Sequence, residues 1–239
     1  MSSMVQAVRD PWTTQLSRTD LCKSSLSLMG SRSLDSSGFH KDLTTNLELG
    51  TFPSAFLIEN TTSAFYLDLD QIKEGLYLGL PPVFADGPIS VEESADEAPS
   101  HLVGVLCQTH HVTLPIHHRY QAAGNTPYQE ACLPSPRVFV AMVTTESGGD
   151  DLEGAIERVE EERGCRLLRA PCGVTREPTC GWEEISFTGV GEVCSTIPVG
   201  LLSDLDLVKI STYGAVVFGV VAILYTLFSS GQRAEKKIE

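Results

Sequence analysis

The chain has 239 residues, of which 42% are hydrophobic and 20% charged, so it can bury a core and global disorder is excluded. The formal net charge is -14, and no stripe of Lys and Arg is present. Because affinity for phosphate backbones comes mainly from clustered basic residues, this balance argues against a nucleic-acid partner.

The first residues contain no apolar run of the length that a secretory signal peptide needs. Taken literally, this start describes a tail-anchored protein whose domain lies in the cytosol. We favour the alternative that the start is mispredicted and that a leader is missing. We therefore expect residues 1–21 to be poorly ordered or mispredicted, and a β-rich domain to occupy residues 22–207.

Short apolar runs bounded by Pro, Gly, Asn and Asp recur along residues 38–200 and predict strands. In residues 65–70, Phe65, Leu67 and Leu69 alternate with polar or aromatic side chains. Many short strands at this spacing predict an all-β domain with an antiparallel, sandwich-like arrangement. The runs are SAFLIE (54–59), SAFYLDL (63–69), EGLYLGLPPVF (74–84), HLVGVLC (101–107), VTLPIHHRY (112–120), RVFVAMVTT (137–145), EISFTG (184–189) and CSTIPVGLL (194–202).

Two segments depart from the strand pattern. Residues 85–100 are acidic and rich in turn formers, which predicts an exposed loop. Residues 150–163 place four apolar side chains on one helical face and so predict a surface helix. Those four are Leu152, Ala155, Ile156 and Val159.

Residues 110–121, HHVTLPIHHRYQ, hold four of the six histidines. Neighbouring side chains of a strand point to opposite faces, so neither pair converges on one metal ion, and we predict no metal or cofactor. The Gly-x-Ser-x-Gly motif of a nucleophilic serine is absent, which argues against a Ser-His-Asp site. The sequence leaves a catalytic Cys–His pair as an alternative. Arg119 and Tyr120 are residue types that anchor protein–protein surfaces, which suggests a partner contact.

Seven cysteines are many for a reducing compartment and favour an oxidising one. The number is odd, so at least one thiol is free or bonded to another chain. Four candidates for disulfides lie close together, and four cysteines allow three pairings that the sequence leaves open. They are Cys165, Cys172, Cys180 and Cys194.

Nineteen residues without a charge, Ile210–Phe228, predict a transmembrane helix over residues 208–230 and a tail over residues 231–239. The basic tail favours the cytoplasmic side for the C-terminus, which leaves the large domain outside the cytosol. Lys236 and Lys237 match a dilysine retrieval signal of endoplasmic reticulum membrane proteins, which is read in the cytosol. Asn60, in Asn-Thr-Thr, is a glycosylation acceptor of the lumen.

The motif Leu-Pro-Ile-His-x-Arg-Tyr resembles the signature of the PIG-X / Pbn1 family, with His118 on the variable place. The matching residues are Leu114, Pro115, Ile116, His117, Arg119 and Tyr120. GFHKDL (38–43), SAFYLDLDQI (63–72), PCGVTREPTCGW (171–182) and IPVG (197–200) resemble further family segments in the family's order. Together these motifs and the span cover residues 38–228.

The resemblance implies a type I endoplasmic reticulum membrane protein with a lumenal β domain. It implies a non-catalytic subunit of GPI mannosyltransferase I, which stabilises a multi-spanning catalytic subunit. That enzyme transfers the first mannose from dolichol-phosphate-mannose to the GPI-anchor precursor. We expect one face of the span to pack on the partner, because small residues allow close helix contact. This face consists of Ser211, Ala215, Gly219, Ala222 and Thr226.

Two other functions are compatible with parts of this organisation. A cargo receptor of the reticulum and Golgi also combines a lumenal β domain, one span and a dilysine tail. Such receptors commonly carry a coiled-coil stalk, whereas residues 183–209 contain glycines and a proline and no heptads. A lumenal glycan-processing enzyme would need a carboxylate pair, and no pair stands out among the many acidic residues.

Overall fold

The computed structural model describes residues 11–35, 38–76, 79–145 and 151–235. The strands are β1 (Lys23–Asp35), β2 (His40–Leu47), β3 (Ala55–Thr61), β4 (Phe65–Tyr66), β5 (Val83–Ala85), β6 (His101–Cys107), β7 (His111–His118), β8 (Tyr128–Leu133), β9 (Arg137–Val143), β10 (Leu168–Pro171), β11 (Thr179–Thr188) and β12 (Val193–Pro198). The helices are α1 (Pro11–Gln15), α2 (Leu69–Leu76), α3 (Leu152–Arg163) and α4 (Leu205–Glu235), with a 3-10 turn at Leu202–Asp204. The predicted class, a β domain followed by one apolar C-terminal helix, is confirmed.

One long strand, β1, makes the sheet curl. Residues Gly30–Asp35 pair with β2 in the antiparallel sense, whereas Ser27–Met29 pair with β11 in the parallel sense. The strand order is therefore β4-β7-β2-β1-β11-β9-β3-β6-β5, with β10 also on β11 and a separate β12-β8 pair. A 13-residue strand reaches both halves because each residue adds about 3.3 Å.

The main core lies between the two halves of this sheet. Leu43 and Leu114 come from the β2–β7 half, and Leu57, Val105 and Val138 come from the β3–β6–β9 half. All five are at most 3% exposed. Burial of each such side chain stabilises the fold by about 1.5–3 kcal/mol, so this face fixes how the halves close on each other.

A second core lies on the opposite face of the larger half. Trp12 of α1 packs edge-on against Phe56 with ring centroids 5.7 Å apart, and Trp182 lies 5.5 Å from the same ring. Leu21 is also buried in this cluster. The expectation that residues 1–21 lie outside the fold is therefore wrong for residues 11–21, because Trp12 and Leu21 fill apolar volume. Residues 1–10 lie outside the described part of the chain.

Helix α3 follows its predicted amphipathic pattern. Ile156 is fully buried, and Leu152, Ala155 and Val159 pack around it. Asp151 caps the helix by accepting a hydrogen bond from the Gly154 amide, and Gly164 ends it with φ of 65°, which L side chains rarely adopt.

Two other segments differ from the prediction. Residues 69–76 form α2, which takes in the end of the predicted strand run 63–69 and the start of the run 74–84. The helix begins here because Asp68 accepts hydrogen bonds from the amides of Asp70 and Gln71 and caps it. The acidic segment 85–100 is irregular from Asp86 onward, as predicted, but Ala95 and Ala98 are buried, so it is not exposed throughout.

The chain divides into two compact units, Met1–Gln121 with Glu130–Ile197, and Ala122–Gln129 with Pro198–Glu239. In the second unit, α4 has 31 residues. Leu202–Leu227 is long and apolar enough to cross a membrane, with a mean hydropathy of 2.0. The helix begins at Leu205 and continues to Glu235, so it is longer at both ends than the predicted 208–230, and residues 231–235 of the predicted tail are helical.

Candidate interaction surface

Three of the sequence motifs meet at one end of the β2–β7 half. Register places His40 opposite His117, and Tyr66 of β4 also lies opposite His117. Directly paired residues share a face of the sheet, so their side chains are in contact. We call the set Phe39, His40, Tyr66, His117 and Tyr120 the aromatic patch.

The rings of the aromatic patch are packed on one another. Tyr66 stacks on His117 with centroids 5.1 Å apart and an interplanar angle of 16°. His40 meets His117 edge-on at 4.6 Å, and Phe39 lies 5.1 Å from Tyr120. Tyr120 is 76% exposed and His40 is exposed, whereas the other three are half-buried. The patch is thus part of the protein surface, and its exposed rings are held in place by the half-buried rings beside them.

His117 is held in place from α2, an element that the sequence prediction missed. Its Nε2 lies 3.1 Å from Gln71 Oε1 and donates to that oxygen. Burial lowers the pKa of His117, and the neighbouring His40 lowers it further, so the ring is neutral at physiological pH.

Arg119 is not a surface contact, and here the prediction of a direct partner contact is wrong. Arg119 is 1% exposed. Because β7 ends at His118, the alternation of strand faces does not extend to Arg119. Nη1 donates to the carbonyl of Glu93 at 2.9 Å, and Cζ lies 4.9 Å from the Tyr66 ring centroid. Burial lowers the pKa of Arg119, yet a guanidinium stays charged. Arg119 therefore supports the patch from beneath.

Leu114 and Pro115 serve the fold rather than the surface. Leu114 is 3% exposed in the main core. Pro115 is opposite Asp42. The Leu47 amide donates to the His110 carbonyl, and the His118 amide donates to the Phe39 carbonyl. The backbone N–H and C=O groups of the even-numbered residues of β7 therefore point toward β2. The nitrogen of Pro115 thus points away from β2, where its missing hydrogen costs no ladder bond.

His118 forms a polar pair with Ser195. The Ser195 hydroxyl lies 2.7 Å from His118 Nε2, and burial, helped by the charge of Lys41, lowers the pKa of His118 to about 4. A base of that strength is a poor match for activating a serine at neutral pH. His110 contacts the Leu47 carbonyl and His111 contacts Asn46, so the four histidines of the motif do not converge.

Three disulfides form: Cys22–Cys165, Cys132–Cys194 and Cys172–Cys180. The four candidates are all bonded, but only Cys172 and Cys180 bond to each other. Cys165 and Cys194 bond to upstream cysteines that the fold brings within reach. Closing a loop of this length with Cys22–Cys165 stabilises by about 5 kcal/mol in the chain-entropy account. The remaining thiol, Cys107, is buried, and burial raises its pKa.

One group among the described residues has the spacing of metal ligands, namely Glu130, Cys132 and Cys194. Its two sulfurs are bonded to each other, so they offer no thiolate while that disulfide is intact.

The remaining predicted site residues lie on exposed parts of the described chain or beyond it. Asn60 is exposed on β3. The predicted packing face lies along α4, where Ser211 and Thr226 donate their hydroxyls to carbonyls of their own helix, and a Cβ at Gly219 would meet nothing within 4 Å. Lys236 and Lys237 lie outside the described residues.

The model of the PIG-X / PBN1 family matches residues 36–228. That range holds the aromatic patch, five of the six disulfide-bonded cysteines and the whole candidate span Leu202–Leu227. A comparison with curated proteins gives no match. Since the family model covers well over half of the sequence, the chain belongs to the PIG-X / PBN1 family.

Proposed function

We propose that this chain is the non-catalytic, stabilising subunit of the endoplasmic reticulum GPI mannosyltransferase I complex. The observation that carries the proposal is the family match over residues 36–228. The family provides accessory subunits for GPI-anchor mannosylation, and its members act with a mannosyltransferase catalytic subunit. The complex transfers the first mannose from dolichol-phosphate-mannose to the GPI-anchor precursor.

We assign the aromatic patch as the contact of the β domain with the catalytic subunit. A tyrosine offers a large, stiff contact area with a polar tip, which is why tyrosines are frequent energetic anchors of interfaces. Tyr120 fits this role because it is 76% exposed and rests on Phe39. The half-buried rings behind it limit the entropy that binding would cost.

The proposed topology is type I in the endoplasmic reticulum membrane, with α4 as the span and the β domain in the lumen. Three disulfides support an oxidising compartment. The exposed Asn60 sequon and the Lys236–Lys237 pair of the sequence support the same orientation.

Affinity purification of the tagged full chain in mild detergent tests the function directly. We expect a multi-spanning mannosyltransferase to co-elute. Recovery of lumenal cargo proteins without such an enzyme would instead favour the cargo-receptor alternative.

Gly219→Leu should lower the abundance of the catalytic subunit several-fold, because a bulky side chain blocks close approach of a partner helix. Membrane insertion of this chain itself should be unchanged. The readout is an immunoblot of both subunits from the same membranes. Gly214→Leu is the matched control, since residue 214 lies about 140° around the helix from residue 219. Equal levels of the catalytic subunit in the two variants would contradict the proposal that this face of α4 packs on it.

Asn60→Gln should abolish a glycosidase-sensitive shift of the wild-type band, because Asn60 is exposed and lies in the lumen in the proposed topology. The measurement is gel mobility with and without the glycosidase. Asn125→Gln serves as control, since Asn125-Thr126-Pro127 is not an acceptor. A wild-type band that the glycosidase leaves unmoved would contradict the glycosylation of Asn60.

A further inference from the structure

The loop Ala122–Gln129 is hydrogen-bonded to the residues that lead into α4. The Gly124 amide donates to the Gly200 carbonyl, and the Leu202 amide donates to the Gly124 carbonyl, both at 2.9 Å. The Val199 amide also donates to Pro127 at 3.0 Å. Leu202 is the first residue of the candidate span. The loop is therefore fixed beside the point where the chain enters the apolar helix.

The length of the helix places this point close to the lipid headgroups. From Leu202 to Ile210, where the charge-free run begins, a helix rises about 12 Å. The headgroup layer accounts for about 5–8 Å of this distance, so Leu202 lies within about 4–7 Å of the outer surface of that layer. Leu202, Leu205 and Leu207 are 48%, 40% and 70% exposed. Such apolar side chains favour lipid contact already in this first part of the helix, which brings the loop to the membrane surface.

The loop has the composition of a segment that contacts lipid. Residues 122–129 and the adjoining residues 193–203 carry no charge, although the whole chain has a net charge of -14. Tyr128 is 61% exposed, and tyrosine is enriched at the membrane–water interface. Entry of uncharged side chains into the headgroup layer requires no desolvation of an ion.

The loop is also held in one shape. Thr126 Oγ1 donates to the Tyr128 carbonyl at 2.8 Å, and the Gln129 side-chain amide donates to the Ala122 carbonyl at 3.4 Å. We infer that Ala122–Gln129 is a membrane-contact loop that rests on the lipid headgroups next to α4, with Tyr128 in the interface. This inference rests on the proposed topology, in which α4 spans the membrane.

Fluorescence quenching by brominated lipid tests the inference on the full chain in nanodiscs. The phosphatidylcholine carries bromine near the headgroup end of its acyl chains, and each variant is compared with the wild type. The native Trp12 and Trp182 are 2% and 1% exposed and give the background signal. The variants are Tyr128→Trp in the loop and Tyr213→Trp in the span, whose native tyrosines are both exposed. The control is the same two variants in nanodiscs of unbrominated phosphatidylcholine.

We expect brominated lipid to quench the added fluorescence of both Tyr128→Trp and Tyr213→Trp, whereas unbrominated lipid should leave it intact. If Tyr213→Trp is quenched and Tyr128→Trp is not, the loop does not contact lipid and the inference is wrong. A protein would then be the alternative partner of the loop. If Tyr213→Trp itself keeps its fluorescence, the proposed span fails, which separates that failure from a failure of the loop.

Discussion

Glu59→Leu is expected to lower the free energy of unfolding by about 3–5 kcal/mol, because it leaves the charge of Arg32 buried without its carboxylate. Arg32 of β1 donates Nη2 to Glu59 of β3, and their side chains are 0% and 3% exposed. Nη1 also donates to the Pro134 carbonyl at 2.7 Å. The pair bridges the two halves of the curled sheet. Urea denaturation of the full chain in detergent, followed by tryptophan fluorescence, measures the loss.

The double variant Arg32→Met/Glu59→Leu should recover most of this loss, since apolar side chains of similar volume replace a buried ion pair at little net cost. Lys73→Met is the control, because the Lys73–Asp70 pair is 70% and 89% exposed and its removal should change nothing measurable. If Glu59→Leu is as stable as Lys73→Met, the buried pair does not stabilise the closure of the sheet.

The single variant Arg32→Met should respond to pH. Burial raises the pKa of Glu59 to about 7, and the charge of Arg32 opposes that rise. Without Arg32 the folded-state pKa is higher still, whereas the unfolded carboxyl titrates near 4.5. The folded state then binds the extra proton, so its stability is greatest at low pH and falls as pH rises through 7. A flat profile of unfolding free energy between pH 5 and 8, a range chosen to bracket a pKa of about 7, would contradict this.

Tyr120→Ala is expected to weaken association with the catalytic subunit by about 2 kcal/mol or more, which is about 30-fold. The side chain is 76% exposed, so its removal should leave the β domain folded. Co-purification of the catalytic subunit in mild detergent gives the loss of binding, and urea denaturation of the variant shows that the fold is intact.

Met29→Ala is the matched control for Tyr120→Ala. Met29 is 59% exposed on β1, and it does not belong to the aromatic patch. We expect full recovery of the catalytic subunit with this variant. If both variants retain the partner, the patch is not the contact surface, whereas loss with both would indicate a general effect of exposed truncations.

The sequence motif predicts only part of the aromatic patch. The sequence identifies Tyr120 and His117 as polar and aromatic residues near one strand, and both lie on the patch. It cannot show that Phe39, His40 and Tyr66 join them, because that depends on the register of β2 and β4 against β7. Arg119 failed as a predicted contact for a local reason, namely that the strand ends one residue earlier.

For the disulfides too, the sequence predicts one feature and the tertiary structure decides the rest. An odd count of cysteines implies a thiol outside intrachain bridges, and Cys107 is that thiol. The pairing of Cys22 with Cys165 joins residues 143 apart, because the start of β1 and the end of α3 lie close together in the fold. No local pattern carries that information, because pairing is decided by long-range contacts.

The sequence by itself determined the β-rich class, the amphipathic helix α3 and the apolar span, because each depends on the periodicity or composition of a single segment. It also determined the family, through short motifs in a fixed order. Only the tertiary structure decided the path of β1 through both halves, the burial of Trp12, the Arg32–Glu59 pair and the assembly of the aromatic patch. These features depend on contacts between residues far apart in the chain, and the free energy of such contacts appears only once the sheet has closed.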